Sequence, residues 1–456
     1  MPGKNMLQQL AEFVAGARSQ NLSSEARDAL RIRVLDSLGC ALGALNGEPI
    51  KMLRSQNDDF GGSPLCSLIG GGRTSPDRAA FYNGALVRYL DYNDSFLAKN
   101  ETCHPSDNFG SVLAACEYAG GSGRDLLLAL AVAYQVQCRL SEVAPVRQKG
   151  FDHTTQGAYA AAAGVSKALN LTAGQTANAI AISGTALNAL RVTRTGTLSH
   201  WKGLAYPFTG FAATHCAFLA MRGITGPPEV FEGNKGFMDA IAGKFKIDWS
   251  NEGLERVTKT IIKKYNAEIH SQSATEGILE LRDENGLKAE DVKSIEIKIF
   301  DVAYNIIGGG EEGSKKNVKS KEEADHSLPY IISAALLDGQ VLPEQYLSER
   351  INRPDIQSLV QKVSVRPTPE YSRRFPKEMP CQLTVKLKDG RSLKKVKKDY
   401  EGFITRPMSW EKAEQKFESL SRKNADASVR RQIVEAIKNL ENLPVSKLTD
   451  LLRELG

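Results

Sequence analysis

Histidines are scarce in this chain, and three of them stand where helices are predicted to begin. His104 begins HPSDN, His153 follows KGFD before an Ala-rich stretch, and His326 lies in ADHSLPY. A helix N-terminus presents free N–H groups and a partial positive charge, so it favours an anion. Several such entrances in one cleft would bind a multiply charged acid, although a single histidine at such a position is more often a cap or a turn-packing residue. The sequence has six histidines: His104, His153, His200, His215, His270 and His326.

A polar segment before His104 adds groups that could take part in acid–base chemistry. The stretch LDYNDSFLAKNETCHPSDN contains Asp91, Asp94 and Ser95 as well as His104. We predict a non-helical loop here, and loops between packed helices are where functional polar groups are usually found. A solvated loop held by Asx-turns is an equally good interpretation of this composition.

Three cationic residues farther along the chain could bind carboxylates. Lys202 lies beside Trp201 in SHWKGLAYP and leads into an apolar helix, so it could act as a point charge toward a carboxylate. The alternative is a partly exposed lysine whose stem covers Trp201. Arg191 and Arg194 in RVTRTG carry guanidinium groups suited to bidentate carboxylate binding. For the arginines, a solvated helix C-terminus is the stronger interpretation, because a positive charge there suits the helix dipole.

Several common kinds of site are missing from the sequence. It has no GxxxxGK[ST], GxSxG or HExxH motif. Its seven cysteines include no CxxC pair, which argues against a zinc or iron–sulfur cage. The glycine triplets at 70–72 and 308–310 lack the strand–helix context of a dinucleotide site. The lysine-rich run RSLKKVKK is predicted to be a solvated edge strand rather than a polyanion site.

Helices must position most of these residues, because the chain is predicted to be almost entirely helical up to about residue 265. Ser23 and Ser24 provide an N-cap before a run with a 3.6-residue apolar period. Many of the helices are rich in Ala, Gly and Ser, which is typical of helices buried inside a large bundle. The predicted helices cover 25–45, 77–89, 110–136 with a break at GGSGRD, 154–169, 172–190 and 204–221.

The pattern changes after residue 265, where strands appear between helices. KSIEIKIF alternates apolar and polar residues as a half-buried strand does, and QKVSVR is a second strand. CQLTVKLK, Asp389-Gly390 and RSLKKVKK form a predicted β-hairpin. Helices are predicted at 271–281, 326–337 and 354–362, and again after Gly402. The sequence therefore predicts a mainly α protein: a large helical domain of residues 1–265, completed by 403–456, and a smaller α+β domain of 266–402.

The composition excludes several classes of protein. With 41% hydrophobic and 25% charged residues, the chain is neither disordered nor a disulfide scaffold. Its net charge of +6 suits contact with anionic small molecules but is too small to indicate nucleic-acid binding. The apolar run LLLALAVAY is far shorter than the roughly 18 residues of a membrane span, and the N-terminus lacks the apolar core of a secretory signal. We expect a cytoplasmic protein without membrane or nucleic-acid partners.

Taken together, these segments resemble the MmgE/PrpD family. The resemblance runs from DSLGCALGA to the GFITRP region. The matching blocks are YLDYNDSFLAKNETCHPSDN, KGFDHTTQGAYAAAAG, SHWKGLAYP, GPPEVFEGNKGF and EEADHSLPYIISAALLDG. The resemblance implies a large helical domain with a smaller α+β lid, a homodimer, a site between the two domains, and no metal or other cofactor.

The resemblance also implies which residues form the site. Asp91, His104, Lys202 and His153 take the catalytic places, and the substrate-binding places fall to Ser95, Arg191, Arg194 and His270. The arginines are our own addition from their guanidinium chemistry. Family decarboxylases resemble one another in an active-site tyrosine shortly before the ADHS block. Here GGGEEGSKKNVKSKEEADHS has no tyrosine, and Tyr304 is the nearest upstream.

The predicted reaction is loss of water from 2-methylcitrate, which gives 2-methyl-cis-aconitate in propionate catabolism; citrate or cis-aconitate could also be substrates. Without a metal, cations must stabilise the carboxylates, for which Lys202 and His153 are the candidates. His104 is the candidate acid–base group, with Asp91 orienting it or relaying its proton. The alternatives are a cis-aconitate decarboxylase or another family lyase or epimerase, a polyanion-binding helical protein, and a metal hydrolase built on His104, His153 and His270.

Overall fold

A computed structural model describes residues 4–455 of the chain. These residues form two compact units. The first comprises the described residues up to Thr193, then Gly203–Thr260, and the described residues from Ser409 onward; the second comprises Arg194–Lys202 and Ile261–Met408. With 59% of residues in helices and 9% in strands, the predicted mainly α class is confirmed. The domain limits at 265/266 and 402/403 stay a prediction.

The helices of the first unit form a densely packed core that positions the polar groups of interest. Thr154–Ala168 is buried on all its faces, as its Ala-rich sequence predicts, and a Cβ on Gly157 would lie 2.4 Å from the Tyr206 ring. Capping follows the sequence, since the Ser23 side chain accepts from the N–H of Ala26. The helices up to residue 221 are α1 Met6–Gly16, α2 Ser24–Ala44, α3 Glu48–Phe60, α4 Pro76–Tyr89, α5 Phe109–Tyr118, α6 Gly123–Val143, α7 Thr154–Ala168, α8 Ala173–Ala186 and α9 Trp201–Met221.

The second unit contains a four-stranded sheet within the described residues. Its strand order is β6-β5-β7-β8, with β5 and β6 parallel and the other pairs antiparallel. The strands are β5 Val292–Ile299, β6 Val363–Pro367, β7 Cys381–Leu387 and β8 Ser392–Lys397, after the short pairs β1 Cys66–Ser67 with β2 Arg73–Thr74 and β3 Phe96–Leu97 with β4 Thr102–Cys103 in the first unit.

Short helices accompany the sheet, and α10 contacts β7 and β8. The helices of this unit are α10 Gln272–Asn285, α11 Asp301–Ala303, α12 Lys321–Ala324, α13 Leu328–Asp338, α14 Ser348–Ile351, α15 Pro354–Gln361 and α16 Pro369–Arg374. The chain then returns to the first unit in α17 Trp410–Ser421, α18 Ala427–Lys438 and α19 Val445–Arg453.

Three helix predictions were wrong. Residues 222–265 are largely irregular, with short turns such as Met238–Ala242 and Arg256–Lys259, because Gly and Pro recur through GITGPPEVFEGNKGF. The predicted helix 172–190 ends at Ala186. The helix predicted to begin at Leu204 begins at Trp201 and so includes Lys202.

One helix, α6, is long and apolar enough by length and composition to cross a membrane. Within the 18-residue window that meets this criterion, 83% of the residues are buried inside the protein. A core helix of a globular protein has the same properties, so this feature carries little weight. The seven cysteines are buried and free, without a disulfide in the described part of the chain.

Candidate active site

The polar segment around His104 is folded into the interior of the first unit. Strands β3 and β4 pair as a small hairpin, and a 3₁₀ turn, Pro105–Asn108, follows His104 directly. Asp91, Asp94, Ser95 and His104 are all buried. The interpretation as a solvated loop was therefore wrong, since the segment's polar groups bond to one another instead of to water.

Two groups contact the Nδ1 nitrogen of His104. Its Nδ1 lies 2.9 Å from the main-chain oxygen of Asp94 and 3.0 Å from the Ser95 hydroxyl. A carbonyl oxygen can only accept a hydrogen bond, so Nδ1 must carry the hydrogen. In a neutral imidazole this leaves the lone pair on Nε2, which makes Nε2 the nitrogen able to take a proton.

A second histidine, His153, lies next to His104, with the two ring centroids 5.5 Å apart in an edge-to-face contact. Its surroundings differ, because carboxylates flank both of its nitrogens. The Oδ1 of Asp152 is 3.2 Å from Nδ1, and the Oδ2 of Asp107 is 4.0 Å from Nε2. Nearby carboxylates favour the charged form of a histidine. Carboxylates thus lie near both nitrogens of His153, whereas a carbonyl and a hydroxyl lie near Nδ1 of His104.

The predicted Asp91 belongs to the same cluster. Its Oδ1 accepts from the Arg88 guanidinium at 2.5 Å, and both side chains are buried. Arg88 also lies 3.7 Å from Asp107, whose Oδ1 accepts from the Asn93 amide at 2.8 Å. Asp91 and Asp107 thus share Arg88, which fixes the positions of both carboxylates.

The two predicted arginines fall in different units. Arg191 belongs to the first, in a 3₁₀ turn, with its guanidinium 3.6 Å from Asp152. Arg194 belongs to the second, where it is buried and donates to the main-chain oxygen of Lys202 at 2.7 Å. The interpretation of a solvated helix C-terminus was wrong for Arg194, because its side chain is buried and donates to a main-chain oxygen inside the protein.

Lys202 lies in the second unit and is buried against a carboxylate. Its Nζ is 2.5 Å from Asp325 Oδ1, while Lys321 is 2.9 Å from Oδ2 and His326 Nδ1 is 2.8 Å from Oδ1. Burial alone would raise the pKa of Asp325, but Lys202, Lys321 and His326 outweigh it and hold that pKa well below its usual range. The interpretation of Lys202 as a partly exposed lysine was wrong.

His270, also in the second unit, forms a buried pair with Glu268. Its Nδ1 lies 2.6 Å from Glu268 Oε1, and its main-chain N–H donates to Oε2 at 2.7 Å. Burial would raise the pKa of Glu268, but His270, His326 and Lys263 lower it below the ordinary value. The rings of Phe300 and Phe375 enclose the imidazole, and its Nε2 has no hydrogen-bond partner among residues 4–455.

The structure brings the predicted residues together in two groups. The first unit holds Asp91, Ser95, His104, His153 and Arg191, and the second holds Lys202, Arg194 and His270. Sequence reasoning missed their carboxylate partners. A usable signal was present, because a carboxylate comes immediately before the histidine in FDH and ADH and two residues before it in EIH. The missed partners are Asp107, Asp152, Glu268 and Asp325, and Lys263 is a further fully buried cation.

Tyr304, the tyrosine nearest to the ADHS block on its N-terminal side, begins the turn Tyr304–Gly308 in the second unit. Its side chain is half-buried. Between this turn and Asp325 the sequence has no tyrosine, so the difference from the family decarboxylases noted in the sequence stands.

Two family models match most of the chain. The MmgE/PrpD N-terminal domain matches residues 8–250, and the MmgE/PrpD C-terminal domain matches residues 265–442. Together, the two matched ranges contain all the predicted site residues of both units.

Three relatives illustrate the range of named activities. A mitochondrial 2-methylcitrate dehydratase of Yarrowia lipolytica is 28% identical over 87% of this chain and 79% of its own length. The 2-methylcitrate dehydratase of Salmonella typhimurium is 27% identical over 83% of this chain and 82% of its own. The cis-aconitate decarboxylase of Homo sapiens is 27% identical over 99% of this chain and 95% of its own. The relatives therefore carry two related activities on tricarboxylic acids.

Proposed function

Because the chain belongs to the MmgE/PrpD family, we propose that it is a lyase that removes water from 2-methylcitrate and releases 2-methyl-cis-aconitate. The observation that carries the proposal is the contrast between two adjacent histidines: Nδ1 of His104 lies against a carbonyl and a hydroxyl, whereas carboxylates lie near both nitrogens of His153. Two neighbouring titratable groups with opposed surroundings are the arrangement that an acid–base elimination needs.

In the proposed reaction, His104 Nε2 takes the proton from the carbon beside a substrate carboxylate. The electron pair of that C–H bond becomes the new C=C bond. The hydroxyl on the next carbon takes the proton that His104 has received and leaves as water, which returns His104 to its neutral form. Negative charge builds up on the adjacent carboxylate as the proton leaves, so a nearby cation lowers the barrier. His153 supplies that cation.

The other predicted residues keep supporting roles. Asp91 is a positioning residue in this proposal, since its contact with Arg88 at 2.5 Å supports orientation rather than proton transfer. We assign Lys202, His270 and Ser95 to holding the carboxylates and hydroxyl of the substrate, as the family resemblance implies. We assign Arg191 and Arg194 to the carboxylates from their guanidinium chemistry alone.

One assay tests the function directly. Purified protein is incubated with 2-methylcitrate, citrate and cis-aconitate, while the conjugated alkene is followed by ultraviolet absorbance and released carbon dioxide is measured. Rising alkene absorbance with 2-methylcitrate, without carbon dioxide, supports the dehydratase. No change with 2-methylcitrate contradicts it.

The second candidate is a cis-aconitate decarboxylase. It is favoured by the human relative of that name, which matches 99% of this chain. The missing tyrosine before ADHS counts against it. Carbon dioxide released from cis-aconitate in the same assay would select this candidate.

A polyanion-binding protein is the rival of a different class. Two lysines of the basic hairpin, Lys395 and Lys397, pair with Glu280 at 3.0 and 2.5 Å, so much of the hairpin's charge is already neutralised. The prediction of a simply solvated strand was incomplete for the same reason. Steep, salt-dependent retention on immobilised nucleic acid would support this rival; we expect none at physiological salt.

We propose further that the chain acts as a homodimer in the cytoplasm, without nucleic-acid or membrane partners. The family resemblance supports the dimer, and the composition supports the location. Light scattering coupled to size-exclusion chromatography tests the first proposal, because a dimer has about twice the chain mass of 49.7 kDa. Cell fractionation with a specific antibody tests the second.

A further inference from the structure

A buried carboxylate that the proposed reaction does not use lies beside His104. Asp94 is fully buried, and its Oδ1 accepts from both the main-chain N–H of Ser106 at 3.0 Å and the Ser106 hydroxyl at 2.6 Å. Its Oδ2 accepts from the Tyr134 hydroxyl at 2.8 Å. The Ser106 hydroxyl in turn accepts from the Asn93 amide at 2.8 Å. Each carboxylate oxygen of Asp94 is therefore engaged.

The same residue contacts the base through its main chain. The carbonyl oxygen of Asp94 is the group 2.9 Å from His104 Nδ1. Ser106 follows His104 by two positions, so the bonds from the Asp94 carboxyl to Ser106 close the segment 94–106 on itself. Tyr134 ties that closed segment to α6. The Asp94 carbonyl consequently has a fixed place relative to the imidazole.

We propose that Asp94 is a positioning residue: its carboxyl, anchored on Ser106 and Tyr134, holds its carbonyl against His104 Nδ1 and so fixes the tautomer in which Nε2 is the basic nitrogen. The effect on rate rests on the dehydration proposed above. The tautomer itself is a property of the protein without substrate.

The free-energy cost of burying the Asp94 carboxylate supports a role beyond stability. Burying a carboxylate is expensive, and well-packed apolar replacements of buried charges are often neutral or stabilising. No ion pair within 4 Å of the Asp94 carboxylate is found among residues 4–455. Burial raises the pKa of Asp94, and the bonds from Ser106, the charge of Arg33 and the bond from Tyr134 reverse the rise only in part. Such a group is typical of a functional site.

The consequence for His104 follows from hydrogen-bond chemistry. If the Asp94 carbonyl moved away, Nδ1 could instead accept from the Ser95 hydroxyl, 3.0 Å away. The hydrogen would then reside on Nε2, which could no longer take a proton from the substrate. A change at Asp94 or Tyr134 should thus lower kcat, whereas it leaves the carboxylate-binding groups that set KM in place.

The test uses the full-length protein labelled with ¹³C and ¹⁵N in histidine only, which gives signals from six residues. The ring chemical shifts distinguish the Nδ1–H from the Nε2–H tautomer, and the His104 signal is assigned with His104→Gln. The variants are Asp94→Ala, Tyr134→Phe and Ser95→Ala. Tyr159→Phe is the matched control, because Tyr159 is an equally buried tyrosine packed on Phe231 and Phe237 whose hydroxyl has its pKa raised by burial alone.

We expect the Nδ1–H tautomer in the unmodified protein. Tyr134→Phe should introduce the Nε2–H form and lower kcat about tenfold, the equivalent of one net hydrogen bond. Asp94→Ala should also introduce the Nε2–H form, and it should lower kcat on the order of a hundredfold. KM should change by less than about twofold in both, because binding common to the ground and transition states is retained. Ser95→Ala should keep the Nδ1–H tautomer, since the Asp94 carbonyl remains. Tyr159→Phe should change neither the tautomer of His104 nor kcat.

Two results would overturn the inference. One is an unchanged Nδ1–H tautomer in Tyr134→Phe and Asp94→Ala, and the other is an equal loss of kcat in Tyr159→Phe. If Asp94→Ala does not fold, Tyr134→Phe decides alone, because it removes a single hydroxyl. A tautomer change in a protein that does not dehydrate 2-methylcitrate would sustain the positioning role while the proposed function fails.

Discussion

In the first unit, His104 is held by a carbonyl and a hydroxyl, whereas in the second unit Lys202 and His326 are held by the carboxylate of Asp325. A carbonyl and a hydroxyl orient an imidazole through hydrogen bonds without favouring its charged form. A full opposite charge in a buried place does the reverse, because it stabilises the charged form.

The two regions therefore suit different tasks. In the proposed function, the first unit places the proton-transfer group His104 beside the cation His153, whose carboxylates adjoin it. The second unit maintains charges, as the depressed pKa values of Asp325 and Glu268 indicate. Changes in the first region should therefore act on kcat, and changes in the second on stability and KM.

The largest effect should come from His104→Ala. Loss of a general acid–base group lowers kcat by about a thousandfold, and the fold should persist because the bonds of Asp94 to Ser106 and Tyr134 still hold the segment. The assay is alkene formation from 2-methylcitrate, with circular dichroism as the check on folding. His215→Ala is the control, since His215 is exposed and pairs with Asp77 on the surface. Near-normal turnover in the His104 variant would refute the assignment of the base.

Asp325→Asn should give the next largest effect, on stability rather than on chemistry. Removing one partner of a buried ion pair leaves the others uncompensated, which costs about 3 kcal/mol. Lys202, Lys321 and His326 all contact this carboxylate. Urea unfolding measures the loss, and Asp389→Asn, in an exposed pair with Arg391, is the control. If the two variants are equally stable, the Asp325 carboxylate does not stabilise the charges of Lys202, Lys321 and His326.

Glu268→Gln should separate binding from chemistry. The glutamine removes the negative charge opposite His270 Nδ1, so the orientation of Nε2 is less well fixed. If His270 binds a carboxylate, KM should rise about tenfold while kcat changes little. Glu290→Gln, an exposed residue of the same unit, serves for comparison. A fall in kcat at constant KM would place His270 with the proton-transfer groups instead.

Much of the fold could be predicted from sequence periodicity. The helices at 24–44 and 76–89 and the sheet strands follow their apolar patterns within a few residues. Periodicity fails where no regular element forms, as in the Gly- and Pro-rich stretch after Met221. It also gave no warning that the polar segment at 91–108 would be buried, because those residues satisfy one another through contacts that no local pattern encodes.

The candidate residues could be selected from the sequence, but their partners could not. Lys202 and Asp325 are separated by 123 positions, and Tyr134 and Asp94 by 40. Pairings of this kind depend on how helices and loops pack, whereas residue types and spacing report only local structure. The family resemblance identified His104 and His153 alike, and the proposal that one is the base and the other the cation rests on their different surroundings.

The smallest effect concerns a charge cluster away from the predicted residues. Glu276 on α10 pairs with Lys397 at 2.9 Å and with Arg406 at 2.8 Å. Burial would raise the pKa of Glu276, but the hydrogen bonds from Lys397 and Arg406 outweigh it and bring the pKa from 4.5 to about 2. The second unit therefore uses fixed charge for stability as well as for its predicted site.

Because the folded-state pKa of Glu276 is depressed, its stabilisation is complete above pH 4.5 and is lost as the pH falls toward 2. Since Arg406 is 44% exposed, solvent screening limits the loss to about 1 kcal/mol. Urea unfolding at several pH values measures it, and Glu276→Gln should be less stable at neutral pH with a flatter decline below 4.5. If the free energy of unfolding falls with pH in parallel for the two proteins, the charge of Glu276 does not contribute to stability. In that case, the contrast between charge-fixing and proton-transferring regions would apply to the Asp325 and Glu268 clusters alone.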